Sequence, residues 1–272
     1  MNLQLVIAEE FNKFVQKPGV LAYTTLLEQL RHNRVEALRG KTLVAGQGLS
    51  GMQIDHAYCL AISLGLGQEF ACWNELNRHS RAGHALSHKH QDQNVLISVP
   101  RKIDETHFEA DLLIDARSEL MLDHLTGLHV QGMVLTEACR QMFIATTEAH
   151  CMGADAPAKR YFVINEMNMR FLQFAFPLPA TIRYTLLDLQ RPRADRVSVV
   201  ADMEVWQNGR AVAGMAVKFG VFDDAYLGPR ENQLADQALS HSMDLLMADL
   251  ISRGLGQPAA TPALAATVAL PA

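Results

Sequence analysis

The chain has 272 residues, is 49% hydrophobic and carries a formal charge of −5 with a pI near 6.1. This acidic balance gives no basic footprint for nucleic acid, and no run reaches the roughly 18 uninterrupted apolar residues of a membrane span. The length permits one large or two modest domains around a substantial core.

Residues 1–83 read as a helical region with connecting glycines at Gly40, Gly46, Gly48 and Gly51. Within 21–38, Leu26, Leu27, Leu30 and Val35 recur at near-helical spacing beside Arg31, Arg34 and Glu36, which makes an amphipathic face. Stretch 55–66 is more apolar and is expected to pack on the domain that follows. The start lacks a basic segment and Glu9-Glu10 interrupts its apolar run, so no secretory leader is expected. Four cysteines, Cys59, Cys72, Cys139 and Cys151, show no Cys-x-x-Cys spacing. They read as free, mostly buried thiols of a reducing compartment, and a cytoplasmic location is expected.

A second domain is expected over 84–225. Residues 94–98 and 107–114 read as strands with 100–104 between them. From 130 to 150 there is no proline, and Met133, Val134, Leu135, Ala138, Cys139, Met142, Phe143, Ile144 and Ala145 are apolar on nearly all sides. That is the pattern of a helix wrapped by other structure. Gly153 and Pro157 then terminate it. Strands follow at 161–176, 180–189, 197–206 and 211–222, and Asn208-Gly209 between the last two signals a type I′ hairpin. Strands wrapped on one helix imply an α+β fold. Within 226–256, residues 232–252 form an amphipathic helix through Leu239, Met243, Leu246 and Leu250, expected to pack back on the domain. The Ala- and Pro-biased tail 257–272 reads as disordered.

The chemistry concentrates on the wrapped helix. Glu137 and Arg140 are three apart and Glu137 and Gln141 four apart, so all three lie near one stripe. A charge in apolar surroundings must be paired or used. Gly132 and Met133 sit in the first turn, whose amides have no intrahelical acceptor and can receive a carbonyl or oxyanion. Asp123, His124 and His129 precede the helix and either orient a substrate or proton or serve as caps and turns. His84, His88 and His90 with Asp92 lack a companion Cys pair or a His-Glu-x-x-His motif, so an ordinary polar loop is expected there and no metal. There is no Gly-x-Gly-x-x-Gly, Walker loop or Gly-x-Ser-x-Gly elbow, so no nucleotide cofactor or serine triad is expected. Arg191, Arg193 and Arg196 are candidates for docking an acidic carrier, or else a solvated loop.

Three ordered blocks carry a resemblance: His88-Lys89 through Asn94-Val95-Leu96-Ile97-Ser98, Asp123-His124 through Gln131-Gly132-Met133-Val134-Leu135-Thr136-Glu137-Ala138-Cys139-Arg140-Gln141, and Phe171-Leu172-Gln173-Phe174-Ala175-Phe176-Pro177-Leu178. Over roughly 84–222 the chain resembles the A-factor biosynthesis hotdog family. The resemblance implies a curved antiparallel sheet around one long helix. It also implies transfer of a β-ketoacyl group from an acyl carrier protein to the hydroxyl of dihydroxyacetone phosphate. Glu137 and Arg140 match the acidic and basic positions of that family. The helix is also similar, more distantly, to β-hydroxyacyl-carrier-protein dehydratases, with His124, Gly132 and Glu137 in comparable places and a slightly shorter His-to-Glu spacing.

On this basis Glu137 is the expected general base and the Gly132 and Met133 amides the oxyanion donors. Arg140 holds an anionic acceptor or fixes Glu137, two roles the sequence leaves open. A thioesterase or hydratase, or a non-catalytic acyl-binding module, stays possible with the same residues; the donor is an acyl carrier protein or acyl-CoA. The relatives typically carry two hotdog repeats, whereas one is found here. A lone repeat leaves an open sheet edge and half a pocket, so a homodimer is expected.

Overall fold

Short apolar runs separated by polar turns build the first part of the fold. In the computed structural model, which describes residues 2–122, 125–152, 160–193 and 196–255, Asn2–Ile7 (β1), Val20–Ala22 (β2) and Lys41–Ala45 (β3) form a parallel sheet in the order β2-β1-β3. Parallel strands need crossover connections, and the helix Tyr23–Arg31 (α1) lies in the one that carries the chain from β2 past β1 to β3. The helix Gly51–Ser63 (α2) begins at Ser50, whose hydroxyl accepts from the Gln53 N–H while the Gln53 side chain accepts from the Ser50 N–H.

The expected helices of the N-terminal region are thus present, together with a parallel sheet not expected from the sequence. The placement of stretch 55–66 is corrected. Ile54, Ala57 and Ala61 of α2 pack with Leu26, Leu30 and Trp73 in a core of the N-terminal region itself, and Trp73 Nε1 donates to the Ile54 carbonyl at 2.9 Å. A parallel sheet is apolar on both faces, and the nearest helices are used to cover it.

The second part is a six-stranded antiparallel sheet made by Arg101–Lys102 (β4), His107–Asp111 (β5), Arg160–Phe171 (β6), Thr181–Arg193 (β7), Arg196–Gln207 (β8) and Arg210–Asp223 (β9), in the order β4-β5-β7-β8-β9-β6. Between β5 and β6 the chain forms the helix Gly132–Thr146 (α3). Along β8 the side chains alternate, so Val197, Val199, Ala201, Met203 and Val205 all point inward. With Met215, Val217 and Phe219 of β9 they enclose Val134, Leu135, Ala138, Met142 and Phe143 of α3 in one core. The rings of Phe143 and Phe219 lie 4.6 Å apart. Burial of each of the Val, Leu, Met and Phe side chains among them contributes about 1.5–3 kcal/mol. Asn208 and Gly209 turn the β8–β9 hairpin with φ of 51° and 74°, as their residue types favour. Ile7 and Phe11 also reach into this core, so the N-terminal region and the sheet share packing.

Several bounds differ from expectation. Segment 94–98 makes isolated pairings, Ile97 with Leu112 and Ser98 with Arg81, in place of a full strand. The strand expected to reach 176 stops at Phe171 because the Leu172 and Gln173 amides both turn to the Val212 carbonyl. α3 gives way at Thr147–Cys151 to a wider π turn; the expected stop at 153–157 and the tail 257–272 lie outside the described residues. The last helix, Asp224–Ser252 (α4), starts earlier than expected because the Asp223 side chain accepts from the Ala225 N–H at 3.0 Å. It does not pack back on the domain: residues 231–249 are all exposed. The core around α3 is already closed by the sheet and by Ile7 and Phe11, so Leu239, Met243 and Leu246 find no groove to fill.

Candidate active site on the central helix

The sheet covers most of α3 and leaves one stripe partly open, formed by Gly132, Met133, Thr136, Glu137 and Arg140. These recur at the three- and four-residue steps that align side chains along a helix. On this stripe the Glu137 carboxylate is gripped from three sides. Arg140 donates through Nε at 2.7 Å to one oxygen and through Nη2 at 2.9 Å to the other. Lys89 Nζ stands 2.7 Å from Oε1, and Gln141 Nε2 donates to the same oxygen at 3.0 Å.

Gln141 is fully buried, and its position is fixed from outside the helix. Its Oε1 accepts from the Leu96 N–H, and its Nε2 also donates to the Asn94 carbonyl, both at 2.8 Å. Burial pushes the Glu137 carboxyl up, but the hydrogen bonds from Arg140, Lys89 and Gln141 and the Arg140 charge outweigh it, and the net displacement is below the ordinary value. The group is therefore an anion at neutral pH. In this arrangement it is also a weak base; Oε1 faces Arg140, Lys89 and Gln141, whereas Oε2 meets Arg140 Nε and keeps room for a proton. A cavity of about 130 Å³ opens beside it, lined by Lys89, Asn94, Ser118, Glu119, Leu120 and Glu137.

The start of the helix forms a second grouping. The Gly132 and Met133 amides meet no acceptor among the described residues, as first-turn donors do. The side chain of Gln131 is buried with its Nε2 unpartnered. Phe171 packs so closely on Gly132 that a Cβ there would stand 2.8 Å from the ring. Beyond it, Phe171, Leu172, Gln173, Phe174 and Phe176 line an open groove of about 620 Å³. The His129 ring lies 4.7 Å from that of Phe174, and its Nδ1 is 3.3 Å from Thr126 Oγ1.

Of the residues expected from the sequence, Glu137, Arg140 and Gln141 come together, whereas Gly132, Met133 and His129 cluster at the helix start. Asp123 and His124 lie outside the described residues. Lys89 was not singled out; its only sequence signal was its place in the first of the three blocks.

The remaining polar groups are dispersed. His84 Nε2 lies 2.8 Å from Asp92 Oδ1, while His88 Nε2 lies 3.1 Å from Glu148 Oε1, where Arg160 also pairs. Burial raises the Glu148 carboxyl, but the bonds from His88 and Arg160 bring it below its usual value. Among the described residues no three His, Cys, Asp or Glu side chains gather as metal ligands. Arg191 donates to the Cys151 carbonyl, Arg193 lies over the Tyr226 ring at 4.8 Å and Arg196 over Phe222 at 5.2 Å. These three arginines thus each have a local partner in the chain. Cys139 and Cys151 are buried but Cys59 and Cys72 are exposed, which corrects the expectation of mostly buried thiols. Burial pushes the Cys139 thiol up to about 12, which removes it as a nucleophile. No helix among the described residues is long and apolar enough to cross a membrane.

A family model described as the A-factor biosynthesis hotdog domain matches residues 74–223. Among solved structures, a mutant thioesterase from Pseudomonas aeruginosa is 17% identical with a TM-score of 0.38, over 55% of this chain and 92% of that one. A thioesterase from Haemophilus influenzae is 17% identical with a TM-score of 0.34, over 47% and 78%. The PaaI protein of the Escherichia coli phenylacetic acid degradation operon is 16% identical with a TM-score of 0.33, over 44% and 79%. No curated protein matches the chain.

Proposed function

The chain belongs to the A-factor biosynthesis hotdog family, whose model matches more than half of it, and on that premise we propose that it is an acyltransferase. It would move a β-ketoacyl group from a carrier-protein or coenzyme A thioester to a hydroxyl acceptor such as dihydroxyacetone phosphate. The observation that carries this reading is the Glu137 carboxylate, held on the open stripe of the wrapped helix by two cations beside a small polar cavity.

In this reading the acyl chain lies in the apolar groove of Phe171, Leu172, Phe174 and Phe176, with the thioester carbonyl at the Gly132 and Met133 amides. Donors placed where negative charge develops are usually the largest single contribution in acyl transfer. Glu137 accepts the proton of the acceptor hydroxyl as the new C–O bond forms. The C–S bond then breaks, and Glu137 returns the proton to the departing thiolate. Arg140 grips both Glu137 oxygens and so acts as the residue that orients the base. Gln141 ties the base to the Asn94–Leu96 backbone, and His129 shapes the groove beside Phe174. Two cations against one carboxylate support an anionic acceptor over water in this reading.

The chain supplied with a β-ketoacyl thioester and dihydroxyacetone phosphate is expected to yield a phosphorylated ester, read by mass spectrometry. Omitting the acceptor is expected to leave the thioester largely intact. Free acid released at one rate with or without the acceptor would establish a thioesterase instead, and tight acyl binding without turnover a binding module.

A further inference from the structure

Glu137 faces two cations that are not equivalent. Arg140 is three residues along the same helix and makes a two-point contact at 2.7 and 2.9 Å, the fork geometry that suits a carboxylate. Lys89 comes from a separate loop, makes a one-point contact at 2.7 Å, and leaves 27% of its side chain exposed at the cavity. Its backbone neighbour is pinned: His88 adopts a left-handed conformation, φ 54°, and holds Glu148 at 3.1 Å. The loop is therefore anchored at one residue, while the lysine stem of the next is held at its tip by the single-point contact to Glu137. A lysine ammonium binds phosphate as a mobile point charge, where an arginine engaged in a fork is committed.

We propose that Lys89 is the anion-binding residue of this site: a substrate phosphate enters the cavity beside Glu137 and takes the Lys89 ammonium from Oε1, so that one positive charge leaves the carboxylate and Oε2, which among the described residues meets only Arg140 Nε, receives the hydroxyl proton. This rests on the acyl-transfer reading and deepens it by naming the group that selects a phosphorylated substrate. The charges around the cavity fit an exchange. Among the lining residues Lys89 is positive and Glu137 and the exposed Glu119 are negative, and Arg140 neutralises Glu137 from the helix. An incoming phosphate replaces Glu137 as the partner of Lys89, while Arg140 continues to neutralise Glu137. The phosphate could belong to the acceptor or to the phosphopantetheine arm of the donor. Both present the same chemistry to an ammonium.

The test uses the full chain with a β-ketoacyl-pantetheine donor, which carries no phosphate, and compares dihydroxyacetone phosphate with dihydroxyacetone. Lys89→Gln is expected to lower the preference for the phosphorylated acceptor by about 10- to 100-fold, the scale of one hydrogen bond to a charged group, chiefly through KM. Lys89→Arg is expected to restore most of it. A loss seen only with a β-ketoacyl-CoA donor would place the bound phosphate on the donor arm and still support the site. An unchanged preference in every combination, or an equal loss with and without phosphate on either substrate, would overturn the proposal. Binding of inorganic phosphate, followed by phosphorus NMR, gives a readout independent of turnover. Binding by the wild-type chain that Lys89→Gln abolishes supports the site even if no acyl transfer is found, in which case only the acyl-transfer reading falls. Absence of phosphate binding by the wild-type chain, or equal binding by both, overturns the proposal.

Discussion

At Glu137 a catalytic and a structural role predict different losses. Arg140 and Lys89 are 28% and 27% exposed, so both can turn to water when the carboxylate is removed. Glu137→Gln is therefore expected to cost about 1–2 kcal/mol of stability, between the surface and fully buried cases, while turnover falls about 10²-fold. Melting temperature and kcat measured on the same variant check this; a loss of several kcal/mol with turnover intact would mark a structural ion pair. Acid provides a second probe. Glu137 and Glu148 are both held below the usual carboxylate range, so the folded chain binds their protons less tightly than the unfolded chain does. Their contribution is complete above the unfolded value near 4.5 and is lost as pH falls through the folded values. Urea midpoints are expected to hold above that range and drop below it, less steeply in Glu137→Gln. Much of this site was legible in the sequence because Glu137, Arg140 and Gln141 are helix neighbours whose spacing alone brings them together. Lys89 was not, because its contact crosses from a loop to a helix far along the chain, and no local periodicity encodes that meeting.

The best-read elements are those whose periodicity leaves one interpretation. β8 alternates so strictly that its inward face follows from the sequence, and Asn208-Gly209 fixes the hairpin to β9. β1 and β3 went unread because Leu5-Val6-Ile7 and Leu43-Val44-Ala45 are short apolar runs that fit a strand or a buried helix equally well. α4 was read as amphipathic, but amphipathicity states only that a face could be buried, not that the chain offers a surface for it. With 231–249 exposed, a chain ending at residue 230 is expected to keep its stability within about 0.5 kcal/mol, the range of surface changes. A thermal melt of the shortened protein checks this, and a larger drop would show that α4 contributes to the core.

For the molecule as a whole, the sheet ends at β6, which pairs with β9 on one side and has no strand on the other among the described residues. Its 12 residues contain no proline, and Ile164, Met167 and Phe171 are exposed along it. Such an edge invites a second strand, and a two-fold pairing of β6 with its copy would bring a second half-site alongside. Light scattering at micromolar concentration is expected to give twice the chain mass, and Met167→Pro, at a residue whose N–H faces away from β9 by alternation from the Leu172 amide that bonds Val212, is expected to give the monomer.

The joining of the two cores through Ile7 and Phe11 has an optical consequence. The chain has two tryptophans, and each reports on a different part. Trp73 is buried in the N-terminal core, and Trp206 lies on β8 with the Arg183 guanidinium 4.3 Å from its ring. Replacing one or the other with phenylalanine isolates the emission of each part. Because adjacent residues of β1 and the turn after it are divided between the cores, Val6 and Ala8 in one and Ile7 and Phe11 in the other, opening either part pulls on the packing of the other. The two fluorophores therefore watch one event, not two.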